Sequence, residues 1–217
     1  MNRITVINTR FEKDYPDLSD VSDMLDRLSE KHPINTVNWA ITEYKPEVNF
    51  KIAYGNKEIY LKYYVGEEYV KAEKTGINQE VYEDSCVEFF FAPAGDGIYY
   101  NLEFNAIGAF LIGHGTGRHD RSRIDPAPAG KIRCLPSLGR EPFPEKQGYQ
   151  EWSLTVAIPL TVFVRHALES LRGSWFKANF YKCGDDLTEP HYLSWNPVLS
   201  EEPDFHRPEY FGEIYFE

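Results

Sequence analysis

The sequence predicts an all-β protein: an antiparallel β-sandwich, jelly-roll or immunoglobulin-like, with a short N-terminal helix and a long loop insertion. Three observations carry this. From Thr36 onward the chain is a series of short runs, alternating or aromatic-rich, as half-buried strands are. Turn signals such as Gly55-Asn56, Gly66 and Gly95-Asp96-Gly97 separate the runs. Aromatic residues reach 15% of the chain, with 15 Tyr, 14 Phe and 4 Trp, and these side chains suit a pleated, half-buried surface.

Residues 1–34 are expected to form a helical extension. Within VSDMLDRLSEK, Val21, Leu25 and Leu28 recur at helical spacing, Ser19 or Asp20 is placed to cap, and His32-Pro33 ends the element. Residues 35–217 are then one sandwich. Its expected strands begin with VNWAITEY, VNFKIAY, KEIYLKYYV, YVKAEK, CVEFFFAP, YYNLEFNAIG and AFLIGH. After them come YQEWSLTVAIP, WFKANFYKC, HYLSWNP and FGEIYFE, with a short helix expected in PLTVFVRHALES. Residues 113–150 read as one long loop that is locally basic, with seven Lys and Arg against four Asp and Glu. A loop of this length is a solvated insertion or a lid over an anionic or sugar ligand.

Bulk properties narrow the function classes. The 217 residues suffice for a substantial core. A net charge of −11 argues against nucleic acid as a partner. Cys86, Cys134 and Cys183 lack CxxC spacing, so neither a zinc motif nor a complete disulfide framework is indicated. There is no membrane-spanning segment and no apolar leader in MNRITVINTR. The expected compartment is cytoplasmic, with the periplasm or exterior as the alternative if a leader has been removed. The oligomeric state is left open.

Alternation places chemistry on one sheet face. In CVEFFFA, Val87, Phe89 and Phe91 face the core and Glu88 faces away. In YYNLEFNA, Asn101, Glu103 and Asn105 face away; in WFKANFYKC, Lys177, Asn179 and Tyr181 do. Amides and carboxylates on one face can meet sugar hydroxyls in bidentate fashion, with an aromatic under the ring. A polar face also needs no ligand, since half-exposed sheets carry one as a rule. The alternative is a glycoside hydrolase or accessory enzyme using Glu88 and Glu103 as its carboxyl pair. An open face, however, lacks the apolar pocket that raises an acid's pKa.

The order of motifs from about Val48 to Glu217 resembles the family 9 carbohydrate-binding modules, within the DOMON-like superfamily of β-sandwiches. The marks are the hairpin VNFKIAYGNKEIYLKYYV, the element YEDSCVEFFF, the strand EWSLTVAIPL, then SWNP and FHRPEYFGEIYF. The resemblance implies a sugar held between two aromatic side chains. Tyr82 and Phe205 fall at those positions, where the family has Trp, and Trp195 is a further candidate. Polar partners on this reading are Glu83, Asp84, Asn101, Glu103, Asn105, Lys177 and Asn179, with Arg118 or Arg207 at the rim. Cys86 adds one residue to the family's D–S–V–E spacing, so either Glu83 or Asp84 inherits the acid's role toward ligand or calcium. Calcium is the one cofactor the resemblance suggests. Haem binding, known elsewhere in the superfamily, is a third reading; an axial Met is lacking, because Met1 and Met24 both precede the sandwich, which leaves a His pair without supporting spacing.

Overall fold

The computed structural model describes residues 1–39 and 41–217. In chain order its elements are β1 (Arg3–Asn8), α1 (Leu18–Arg27), β2 (His32–Pro33), β3 (Thr36–Val37), β4 (Glu47–Tyr54) and β5 (Glu58–Ala72). Then follow β6 (Cys86–Ala92), β7 (Tyr99–Asn105), β8 (Phe110–Gly115), β9 (Arg121–Arg123), α2 (Pro126–Ala129) and β10 (Arg133–Pro136). The chain closes with β11 (Phe143–Pro159), β12 (Ser174–Cys183), β13 (Tyr192–Ser194) and β14 (Gly212–Phe216). No helix among the described residues is long and apolar enough to cross a membrane.

The strands form a β-sandwich-like, curled mixed sheet. One layer runs β10-β11-β5-β4 and the other β14-β12-β6-β7-β8-β9. They are joined by β1, which pairs in parallel with β14 through Arg3–Val6 and with β4 through Ile7 and Asn8. The other pairings are antiparallel. The first 34 residues therefore supply a strand that ties the two layers together, in addition to a helix.

The core between the layers follows the alternation. Val87, Phe89, Phe91, Tyr100, Leu102, Phe104, Ala178 and Phe180 all belong to it. Phe50 of β4 stacks on Phe180 of β12 across the sandwich at 3.7 Å between ring centroids. Helix α1 lies on the far side of the β4–β5–β11 layer, where Val21 and Leu25 bury against Ala53, Tyr60 and Ala157. Lys62 holds it there by donating to Ser22 Oγ and Asp26 Oδ2, both at 2.7 Å. It starts earlier than Ser19 or Asp20 would set, with Asp17 at the N-cap, and His32-Pro33 pairs with β4 as β2.

Other differences from expectation have local causes. KEIYLKYYV and YVKAEK are one strand, β5, because Gly66 makes no turn. A Cβ there would collide with the Tyr149 hydroxyl, so glycine lets that ring lie across the strand. VNWAITEY is reduced to β3, Ala40 lying outside the described residues. Residues 113–150 carry β9, α2, β10 and the start of β11. The helix expected in PLTVFVRHALES is only a 3-10 turn, Leu160–Val162.

The outer face of the β12–β6–β7 layer departs most from expectation, because it is covered. Cys86, Phe90, Tyr181 and Cys183 form a second apolar cluster with Trp39, Val198, Phe205 and Phe211. Phe205 stacks on Tyr181 at 4.1 Å, and Tyr181 donates to the Phe205 carbonyl at 3.1 Å. The segment leading into β14 thus lies over the face that alternation alone leaves open to solvent.

Candidate functional site

Where this cover ends, a cleft of about 370 Å³ opens onto the sheet. Glu88 of β6, Asn101 and Glu103 of β7, Leu111 of β8, and Cys183 with Asp185 at the end of β12 form its floor. The β8–β9 hairpin supplies one wall with Arg118, Arg121 and Arg123. The opposite wall comes from Asp204, Phe205 and His206, with Tyr82 and Tyr192 at the sides. The hairpin closes tightly because residue 115 is glycine: a Cβ there would strike the Asp120 carbonyl and stand 2.8 Å from Arg121 Cα.

Strand register sets the electrostatics. Glu88 and Glu103 are directly opposite on β6 and β7, and both are buried. Burial, then the charge of Glu103, pushes the Glu88 carboxyl well above its usual range. Burial likewise raises Glu103, against a hydrogen bond from Asn101 Nδ2 at 2.6 Å and the charges of Arg121 and Arg123. Asp185 is pushed up to about 6, by burial first and then by Glu103. The expectation that this face cannot raise an acid's pKa is therefore overturned, because the cover removes water from the floor.

Arg121 is fixed from the other side. Its Nη1 donates to the Tyr99 hydroxyl at 2.9 Å and also meets His206 Nδ1. Tyr99 and His206 are themselves 2.9 Å apart. Burial, then the charge of Arg121, lowers His206 to about 2, so the ring is neutral and Nδ1 faces the guanidinium as an acceptor.

Of the residues expected to bind ligand, Tyr82, Asn101, Glu103 and Phe205 line the cleft, as do Glu88 and Arg118. The other seven are occupied elsewhere. Asn179 Oδ1 accepts from the backbone of Phe180 and Asn196, and Lys177 pairs with Glu213 at 3.0 Å. Trp195 is 5% exposed and packs edge-on to Phe50 and Phe180, as core tryptophans do. Arg207 pairs with Glu209, and Glu83 with Lys74 at 2.6 Å. Asn105 bonds Asp84 Oδ2 at 2.9 Å beneath the surface.

Asp84 also accepts from the backbone of Glu73 and Lys74 at 3.0 and 2.9 Å, through the same Oδ2. Three nitrogen donors thus fill Oδ2, while Oδ1 is buried without a hydrogen-bond partner. A calcium ion needs six to eight oxygen ligands, so this setting and the Lys74-paired Glu83 do not fit one. Asp84 is a clamp that closes the turn after β5. Asp84→Ala is expected to lower stability by about 2 kcal/mol in chemical denaturation, since buried donors lose their acceptor.

Several cleft residues escaped the sequence reading. Arg121 and Arg123 stood among seven basic residues of the 113–150 segment with nothing to single them out. Asp185 and Tyr192 flank a loop whose return path was not legible. His206 lies next to Phe205, but its role depends on Arg121, which is distant in sequence.

The fold is a β-sandwich that carries a polar, aromatic-sided cleft. The profile of carbohydrate-binding family 9 matches residues 20–216, and the chain belongs to that family. No curated protein matches it significantly. Among solved structures, it is similar to a candidate carbohydrate-binding protein from Bacteroides uniformis ATCC 8492. The identity is 42% over 99% of both chains, with a TM-score of 0.95. Two structures of a family 9 module from Caldicellulosiruptor kristjanssonii, in complex with glucose and with cellotriose, share the fold at 14% and 15% identity. Their TM-scores are 0.56 and 0.53, over 100% of this chain and 96% and 94% of theirs.

Proposed function

We propose that the protein is a non-catalytic carbohydrate-binding module whose cleft takes a mono- or oligosaccharide, in polysaccharide or glycan utilisation. One observation carries the reading: the cleft's charged side chains face one another without pairing. Arg118, Arg121, Arg123, Glu88, Glu103, Asp185 and Asp204 enter no ion pair among the described residues. Arg121 Nη2 and Asn101 Oδ1 are buried without a hydrogen-bond partner. A sugar hydroxyl donates and accepts at once, so it bridges such groups where water would otherwise have to. The rings of Tyr82 and Tyr192, both half-buried, then bound the apolar face of the sugar. Phe205, already stacked on Tyr181, is a wall more than a platform.

Calorimetric titration with glucose, cellotriose and a panel of other mono- and oligosaccharides tests this. At least one is expected to bind, and Tyr82→Ala is expected to weaken it about tenfold, or ~1.4 kcal/mol, as ring contact is lost. If no sugar binds, the reading fails; if one binds and Tyr82→Ala leaves its affinity untouched, the aromatic side is misassigned.

The buried Glu88, its carboxyl raised well above the usual range by burial and by Glu103, favours a second reading, glycoside hydrolysis. Both carboxyls rise from one sheet face, however, whereas an acid and its nucleophile or base flank the bond. Release of reducing sugar that disappears in Glu88→Gln and Glu103→Gln would overturn the binding-only reading.

A further inference from the structure

Cys86 is fully buried at the start of β6, and the sugar reading gives it nothing to do. The structure places it against another unused cysteine. Cys86 of β6 and Cys183 of β12 are register partners, and Glu88 stands two residues along β6 on the same face. The Cys183 thiol donates to Glu88 Oε1 at 3.1 Å, and the two thiols are within hydrogen-bonding reach of each other. One donor atom from each of the three residues lies within 4.8 Å of the others. The side chains are buried, with Cys86 at 0%, Cys183 at 2% and Glu88 at 3% exposure. Yet Glu88 and Cys183 border the cleft, which gives an entry path.

We propose that Cys86, Cys183 and Glu88 form a binding site for a zinc-class divalent cation at the foot of the cleft. Three protein ligands of this kind suit a tetrahedral ion whose fourth position faces an open cavity. With metal–sulfur bonds of about 2.3 Å and metal–oxygen bonds of about 2.0–2.2 Å, tetrahedral donors stand roughly 3.5–3.8 Å apart. The Cys183 Sγ–Glu88 Oε1 distance of 3.1 Å and the 4.8 Å limit on the whole cluster bracket that spacing. Two thiolates favour zinc over the hard cations calcium and magnesium. The fourth ligand is water or an oxygen in the cleft, with the Asp185 carboxylate next to Cys183.

Binding exchanges protons for the ion. The Cys86 and Cys183 S–H protons and the Glu88 carboxyl proton leave to solvent as the metal bonds form, so affinity rises with pH. The ligand set then carries three negative charges against the ion's two positive ones. Arg121, whose charge already acts on Glu88, offsets the difference. The site does not depend on what sugar the cleft holds.

Cobalt(II) is the probe, added to chelator-treated, reduced full-length protein. The expected result is one ion per chain, with a thiolate-to-cobalt charge-transfer band, visible bands of tetrahedral intensity, proton release, and displacement by zinc. Cys86→Ser and Cys183→Ser should each weaken binding and diminish the charge-transfer band. Glu88→Gln should keep the band while lowering affinity at least tenfold. Cys134→Ser, whose thiol lies in the main core, should change nothing. Absence of the band in the unmodified protein, its survival in full in Cys183→Ser, or its loss in Cys134→Ser would each overturn the proposal. The first and third do not depend on the site variants folding.

Discussion

Replacing Lys182 with methionine is expected to destabilise the protein by about 3–5 kcal/mol, the usual cost of leaving one member of a buried ion pair alone. Lys182 is 0% exposed, Glu67 1% and His191 2%. Lys182 Nζ lies 2.8 Å from Glu67 Oε2 and 2.8 Å from His191 Nε2, and it donates to the Cys183 carbonyl at 2.9 Å. Glu67 Oε1 accepts from Trp152 Nε1 at 2.7 Å. Lys182 belongs to β12 and Glu67 to β5, so the pair crosses between the two layers. Burial, then the Lys182 charge, holds His191 well below its usual pKa, so the ring is neutral and can accept from the ammonium. Urea denaturation measures the loss. The double change Glu67→Gln with Lys182→Met should recover much of it, because no buried charge is then left over. A loss under about 1 kcal/mol in Lys182→Met would mean that Glu67 finds water or a proton at little cost.

The second large effect is a pH dependence at His206. The folded ring stays neutral down to about 2, whereas the unfolded ring takes up a proton near the ordinary value of about 6.5. Its contribution is therefore complete above pH 6.5 and is lost as pH falls, by up to about 1.4 kcal/mol per pH unit. The groups facing the ring explain the sign. Arg121 donates toward Nδ1, Arg118, Arg123 and His119 add positive charge, and Phe90 lies 4.9 Å away, so a proton has no carboxylate to pair with in the ring's contacts. Denaturation at pH 7, 6 and 5 of the protein and of His206→Gln should show the protein losing stability faster by about 1 kcal/mol per unit below 6.5. Other titrating groups cancel in the comparison. Equal slopes would show that the protonated ring swings out at no cost. Because the folded ring stays neutral over this range, its hold on Arg121 is unchanged and His206 should leave sugar affinity unaltered between pH 7 and 5.

The layer assignments were legible in the sequence because one physical rule makes them. A side-chain period of two sends Val87, Phe89 and Phe91 one way and Glu88 the other, whatever lies beyond. The same rule sends Lys182 inward with Ala178 and Phe180, but nothing local names Glu67 as its partner. Motif order points to Tyr82 and Phe205 and strand face to Asn101 and Glu103, and all four line the cleft. The misses at Asn179, Lys177 and Asn105 share a cause: a residue on the correct face can still be spent on a backbone or a neighbour.

By itself the sequence determined most of the long strands after Val48, the face their residues take, and the family to which the motifs belong, since these rest on local periodicity and order along the chain. Only the tertiary structure decided which polar residues remain free. The segment 198–211 folds over the outer face and buries most of it, leaving one cleft whose arginines come from the β8–β9 hairpin. That choice turns on contacts between residues far apart in sequence. Burial and the proximity of charges, which set the protonation of Glu88 and His206, exist only once those contacts form.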